Sequence, residues 1–417
     1  MKILNAVIAE SLAFYLKDLL TEQPTVQGAN NQLERLTGII DFFSDEGDWQ
    51  QATSELAESK SEVEEHNAIE YGDFQTNESL AKRVCDVLAA DGYRPTIIIE
   101  PTCGQGNFVL AALRRFSTIR VIYAVEIYKP YLYQCKFNLL AYFIDHPTAS
   151  KPTIHLLHQS VFDTDFSHVA DSNSDDELLI IGNPPWVTNA TLGAMASVNL
   201  PPKTNFKQHT GLDAVTGKSN FDIAEFITIQ LLTQFQNQRG HLALLVKNSV
   251  VKNGVYDQAN RPFRIGNLQK RVIDTKKEFN VSVDAALFST TLNTEPAKVC
   301  SESPLNNSQT EHTGFGWVNQ KFVSNTSPYH RLAAFDETCR FEWRQGMKHD
   351  CSAVMELTRT VDGYFCGVQA GIDVENDLIP FQVQRVVYLA YELRPTNPGR
   401  FAHAANNRKK TDKSPIP

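Results

Sequence analysis

The tetrapeptide Asn183-Pro184-Pro185-Trp186 follows directly on the apolar run Leu178–Ile181 and Gly182. Two consecutive prolines fix an extended, rigid backbone. At the end of a strand they would aim the Asn183 side chain and the Pro184 carbonyl outward. Two acceptors converging on one point suit an exocyclic amino group. They take up its two hydrogens and leave the nitrogen lone pair facing an electrophile. Such chemistry works by positioning and preorganised electrostatics and needs no strong base. Trp186 offers a flat face on which a purine or pyrimidine could stack. The structural alternative is a proline turn with a core tryptophan, and the tetrapeptide alone does not choose between them.

A second segment, Glu100-Pro101-Thr102-Cys103-Gly104-Gln105-Gly106-Asn107-Phe108, makes the functional alternative stronger. Gly104 and Gly106 allow positive φ and a close approach of backbone to ligand. Val109 stands where a dinucleotide fingerprint carries its third glycine, which disfavours a pyrophosphate. A nucleoside without phosphates fits better, with the helix N-terminus after Gly106 offering free N–H groups to a carboxylate. Glu126 follows the run Val121–Val125 and could accept both ribose hydroxyls, and Ile127 could cover one face of an adenine.

These two segments need a scaffold that brings strand ends together, and the chain's pattern supplies one. Thr96–Ile99, Arg120–Val125, Thr153–His158, Glu177–Ile181 and His241–Val246 read as strands. Leu80–Leu88, Phe108–Phe116, Pro130–Phe143 and Asp222–Phe235 read as helices between them. The alternation predicts an α/β fold with a doubly wound, mostly parallel sheet. Such sheets bind ligands beyond the carboxyl ends of their strands, where both motifs fall. Residues 1–70 read as a helical extension with an acidic stretch between Asp45 and Glu70, and Ser301–Gly316 as a loop or boundary. Residues 315–395 form a smaller region without clear period, and 396–417 read as a disordered tail.

Composition sets limits. The 417 residues are 42% hydrophobic and 21% charged, enough for a large core. No run reaches the roughly 20 apolar residues of a membrane helix. Seven scattered cysteines show no metal-ligand spacing, so no metal is expected, and reduced thiols point to the cytoplasm. The net charge of −9 counts mildly against nucleic-acid binding, although a basic cleft can coexist with an acidic exterior. Lys247, Lys252, the Lys270–Lys277 cluster and Arg408–Lys410 are the basic candidates; a solvated surface explains them equally well. The triplet His349-Asp350-Cys351 cannot easily converge on one atom and reads as structural.

Together the motifs resemble the N6-adenine/N4-cytosine DNA methyltransferases, in the gamma order and of the restriction–modification type. Glu100–Phe108 resembles that family's first motif, Ala124–Ile127 its second, and Asn183–Trp186 its catalytic motif. Gly72–Glu78 resembles the segment that closes over the methionine part of the cofactor, and Ser219–Asp222 and His241–Lys247 its later motifs. The resemblance implies a class I methyltransferase fold with S-adenosylmethionine as cofactor. It assigns residues 71–295 to the catalytic domain and 315–395 to a partial target-recognition region. Cofactor contacts are implied at Gln75, Thr76, Glu100, Thr102, Cys103, Gly104, Gly106, Glu126, Ile127, Ser160 and Val161, with Ser160 standing where the family often has an acid. Catalysis is implied at Asn183, Pro184, Pro185 and Trp186. The expected reaction is methylation of an amino group of a flipped DNA base, adenine N6 ahead of cytosine N4. The implied partners are DNA and either a cognate restriction endonuclease or a separate specificity chain. The region after Phe381 is shorter than the family's, so incomplete recognition is expected. The alternatives are methylation of a ribosomal-RNA guanine N2 or a protein glutamine, or a non-catalytic module that binds DNA or a partner.

Overall fold

The computed structural model describes residues 1–58, 75–170, 175–188, 222–306 and 313–335, with strand fragments at 341–342, 357–359, 365–367 and 394–395. Two compact units, Met1–His330 and Arg331–Pro417, make up the chain. In the second, Phe341–Glu342 pairs with Arg394–Pro395 and Leu357–Arg359 with Phe365–Gly367. The segments 72–74, 219–221, 349–351 and 408–410, singled out in the sequence, lie outside the described residues.

The first unit opens with a hairpin, β1 (Lys2–Ile3) and β2 (Ala6–Val7). Eleven strands then form one sheet: β3 (Ile39–Ile40), β4 (Ile97–Glu100), β5 (Val121–Glu126), β6 (Thr153–His158), β7 (Leu178–Gly182), β8 (Gly240–Lys247), β9 (Ile265–Val272), β10 (Ala285–Leu292), β11 (Val299–Pro304), β12 (Thr313–Val318) and β13 (Lys321–Val323). Their spatial order is β3-β6-β5-β4-β7-β8-β10-β9-β11-β12-β13. The six strands from β3 to β8 run parallel. β10 is antiparallel to both its neighbours, β8 and β9. This is the expected α/β class, with the five expected strands placed within one residue at each end.

Every residue of β4 and β7 is buried, as befits central strands covered on both faces. From β4 the chain steps outward through β5 and β6, then crosses back to β7 on the other side of β4. The reversal opens a crevice between the carboxyl ends of β4 and β7.

Two expectations are corrected. The stretch Ser301–Gly316 holds strands, with β11 pairing β9 in parallel and β12 in antiparallel fashion. Only Cys300 and Ser303 of β11 are buried, so the strand carries little apolar signal and resembles a loop in composition. The N-terminal part is not wholly helical. Helices Glu10–Glu22, Val26–Thr37 and Glu46–Glu58 are joined by the β1–β2 hairpin and by β3, which extends the sheet beside β6.

A buried lysine ties this N-terminal part to the helix Lys129–Asp145. Lys136 Nζ donates to the carbonyls of Asp41 at 3.2 Å and Phe42 at 2.5 Å. Nearby, Asp48 accepts from the Tyr133 hydroxyl at 2.5 Å and pairs with Lys129. Lys136 is 1% exposed. Burial pushes its pKa down from 10.5 to about 8, against the opposing pull of Asp48. Between those values the unfolded chain binds the extra proton, so stability rises with pH across this window. Urea unfolding should show wild type gaining about 3 kcal/mol relative to Lys136→Met between pH 8 and pH 10.5. A pH-independent difference would contradict this account.

Candidate active site

The crevice is a cleft continuous with solvent. Its wall is built from the ends of four successive parallel strands. Glu100, Thr102, Cys103 and Gly104 come from the β4 end. Glu126 and Ile127 come from β5, Val161 and Phe162 follow β6, and Asn183 and Pro185 follow β7. Gln75 and Thr76, ahead of the helix Glu78–Ala90, complete one side.

Glycine is required in the β4 loop. Gly104 has φ +52°, and a Cβ there would lie 2.6 Å from Gln75 Oε1. Gly106 has φ +83° and caps the helix Asn107–Arg115; a Cβ there would collide with Cys135 Sγ. Gly106 therefore seats the loop against the helix Lys129–Asp145 and stays off the cleft wall. Glu126 holds the loop from the other side. Its Oε2 accepts from Gly104 N at 2.8 Å and its Oε1 from Tyr128 N at 2.7 Å. Asn107 Nδ2 donates to the Thr76 carbonyl at 2.8 Å, pinning the Gln75–Thr76 segment to the same loop.

The loop and the proline turn are neighbours. Thr102 Oγ1 lies 3.4 Å from the Asn183 carbonyl, and a Cβ on Gly182 would sit 3.4 Å from Pro101 Cδ. Asn183 and Pro185 reach the cleft, whereas Pro184 and Trp186 are off its wall. The Trp186 ring turns inward. It is 5% exposed, its Nε1 donates to the Leu245 carbonyl at 3.1 Å, and it meets Phe279 edge-on at 5.1 Å. The ring thus fits the core-tryptophan alternative, while Asn183 fits the functional one. Past β6 the expectation also shifts by residue. Ser160 Oγ accepts from Phe162 N at 3.2 Å and shapes the turn, and Phe162 joins Val161 on the cleft wall. Asn107, Tyr131, Phe162 and Ile227 line the cleft without having been singled out in the sequence.

Thr76 Oγ1 and Glu100 Oε2 are buried on the wall with no hydrogen-bond partner among the described residues. Burial, reinforced by Cys135 and Glu126, pushes the Glu100 carboxyl well above its ordinary range. A site with such atoms fits a polar ligand. The wall combines the Gly104 backbone, the Glu126 carboxylate and apolar Ile127, Val161 and Phe162. It suits a nucleoside bearing an amino-acid tail, as S-adenosylmethionine does. Among the described residues no His/Cys/Asp/Glu group could hold a metal.

Several candidate basic residues have other work. Lys247 pairs with Asp222 at 2.7 Å, Lys270 with Glu302 at 3.0 Å and Arg271 with Asp91 at 2.7 Å. Lys252, Lys276 and Lys277 are exposed. No described helix is long and apolar enough to cross a membrane.

No family model matches the sequence. Over 312 residues, however, the chain is 35% identical to the type II methyltransferase M.NspV of Nostoc sp. (strain ATCC 29411 / PCC 7524). The chain is thus similar in sequence to a type II methyltransferase. The match takes in 75% of this chain and 63% of that protein, so the chain spans less than two thirds of its relative's length. Solved structures are more distant. The type I restriction–modification methyltransferase subunit of Streptococcus thermophilus is 12% identical with a TM-score of 0.39, over 81% of this chain and 76% of that one. The M protein of the type I enzyme EcoKI is 10% identical with a TM-score of 0.37, over 99% and 85%.

With Glu126 clamping two loops, Glu126→Ala should raise the cofactor dissociation constant at least about tenfold, since hydrogen bonds to charged groups contribute about 1.5–3 kcal/mol each. Isothermal calorimetry reads this directly. Unchanged affinity would remove Glu126 from the cofactor site.

Proposed function

We propose that the chain methylates the exocyclic amino group of a DNA base, adenine N6 ahead of cytosine N4. The carrying observation is that Asn183, on a turn made rigid by two prolines, shares one cleft with the Gly104 loop and Glu126. S-adenosylmethionine, when bound, supplies an electrophilic methyl group. The residues that would hold it are Gln75, Thr76 and Glu100 on the amino-acid side, Gly104 through its backbone, Glu126 at the ribose, and Ile127, Val161 and Phe162 around the adenine.

Asn183 Oδ1, on the cleft wall, accepts one amino hydrogen; the Pro184 carbonyl, off the wall in this structure, would accept the other, which leaves the lone pair free to attack. As the N–C bond forms and the donor's S–C bond breaks, the amino nitrogen becomes acidic and would pass its surplus proton to solvent, so no strong base is required. A base inside a duplex cannot reach this cleft and must be flipped, at a cost of a few kcal/mol. Exposed Lys252, Lys276 and Lys277 are the described residues offered to phosphates. A cognate restriction endonuclease or a specificity chain is the further partner of this reading.

The test incubates the full chain with tritiated S-adenosylmethionine and, separately, DNA, ribosomal RNA and a protein mixture. Label in DNA, recovered after digestion as N6-methyladenine, is the expected result. Recovery as N4-methylcytosine overturns the choice of base. Label confined to RNA or protein overturns the substrate class, and label in none of them overturns the enzyme.

A further inference from the structure

We propose that the short helix Thr275–Phe279, in the connection between β9 and β10, is a strut that sets the cofactor side and the catalytic turn together. Its positioning residues are Glu278 and Phe279. This rests on the function proposed above and adds two residues to it.

The helix is fixed at both ends. Asp274 caps it by accepting from Lys277 N at 3.1 Å, and Asn280 leaves it at φ +56°. Neighbouring side chains on a helix point about 100° apart, so residues 278 and 279 face different walls. Glu278 faces the cofactor side. Its Oε1 accepts from Arg83 NH2 at 2.6 Å and its Oε2 from Asn77 Nδ2 at 3.1 Å. Asn77 caps the helix Glu78–Ala90 through Leu80 N at 2.8 Å. It also directly follows Gln75 and Thr76, which line the cleft. The Glu278 side chain is 9% exposed and its charge-assisted bond to Arg83 is partly buried, whereas the bond to Asn77 lies at the surface.

Phe279 faces the other way, onto the edge of Trp186 at 5.1 Å. Trp186 is anchored to Leu245 and carries the turn on which Asn183 sits. One five-residue helix thus touches the supports of both halves of the site. Neither Glu278 nor Phe279 lines the cleft, so each acts only through its neighbour. The outward side of the same helix carries exposed Lys276 and Lys277.

A strut and two unrelated packing contacts make different predictions. With unrelated contacts, Glu278→Ala moves only cofactor affinity and Phe279→Ala moves only kcat. With a strut, each single variant moves both quantities, and the double variant is far from additive. We expect Glu278→Ala to raise the cofactor dissociation constant about tenfold and to lower kcat at saturating cofactor about fivefold. Phe279→Ala should do the reverse in proportion, and Glu278→Gln, which keeps an acceptor for Arg83, should fall between Glu278→Ala and wild type. Asn77→Ser keeps a capping oxygen for Leu80 and removes the donor to Glu278, so it tests the link without unfolding the helix. It should repeat the Glu278→Ala pattern at reduced size.

Cofactor affinity is measured by calorimetry on the full chain, separately from turnover on DNA. Wild type that binds no cofactor overturns both this proposal and the function. Wild type that binds it, with effects that split cleanly and add, overturns the strut alone.

Discussion

Asn183→Ala should abolish methyl transfer while leaving cofactor affinity within about twofold of wild type. Removing one preorganised hydrogen-bonding group from a site of this kind costs about 10²–10³ in kcat. The proline-fixed backbone keeps the turn in place when the side chain is truncated, so the loss falls on chemistry and not on folding. Asn183 and Gly104 share the cleft wall but sit on different loops, which is why the two readouts separate. Single-turnover transfer on DNA and calorimetry with cofactor check this. A variant that binds cofactor poorly, yet regains full turnover at high cofactor, would show that Asn183 serves binding instead.

Gly106→Ala is expected to be the most damaging change in the cofactor loop, although Gly106 does not line the cleft. The new methyl collides with Cys135 Sγ and lies 3.2 Å from Cys135 Cβ. Overpacking of this kind costs about 1–3 kcal/mol. The φ of +83° adds about 1–2 kcal/mol for a residue with a Cβ. Cys135 is wholly buried on a helix that also carries Lys136 and Tyr133, so it has little room to retreat. The loop must move, and cofactor binding should weaken about 100-fold or more with a lower Tm. The double change Gly106→Ala/Cys135→Ala removes the colliding sulfur and leaves the backbone strain. It should recover part of the affinity, but not all of it. Full affinity in the single variant would mean that the loop does not depend on this close approach.

The parts of the site that were legible in the sequence are those encoded by short stretches. Ile97–Ile99 and Leu178–Ile181 are uniformly apolar because both faces of those strands are covered. Gly104, Gly106 and the two prolines mark turns that few other residues can make. Glu126 sits at the end of β5, where its place on the cleft wall follows from spacing. What stayed hidden depends on distance in the chain. The Asn77–Glu278 contact joins residues 201 positions apart, and no local pattern announces it. The inward turn of Trp186 depends on a carbonyl of β8, 59 residues later. Phe162, not Ser160, reaches the cleft because the turn after β6 spends the serine hydroxyl on its own backbone. β11 was read as a loop because an outer strand needs few apolar residues.

The ends of the segment 189–221 are pinned side by side. Thr188 bridges to Asp222, Ile223 N donates to the Val187 carbonyl at 2.9 Å, and Lys247 holds Asp222 from the end of β8. The chain leaves and re-enters this part of the fold at one neck, formed by Thr188 and Asp222. The entropy of closing such an excursion grows only slowly with its length. The scaffold therefore tolerates different inserts at this neck, and the position lends itself to grafting, beside the Asn183 turn and without cutting into the sheet that supports it.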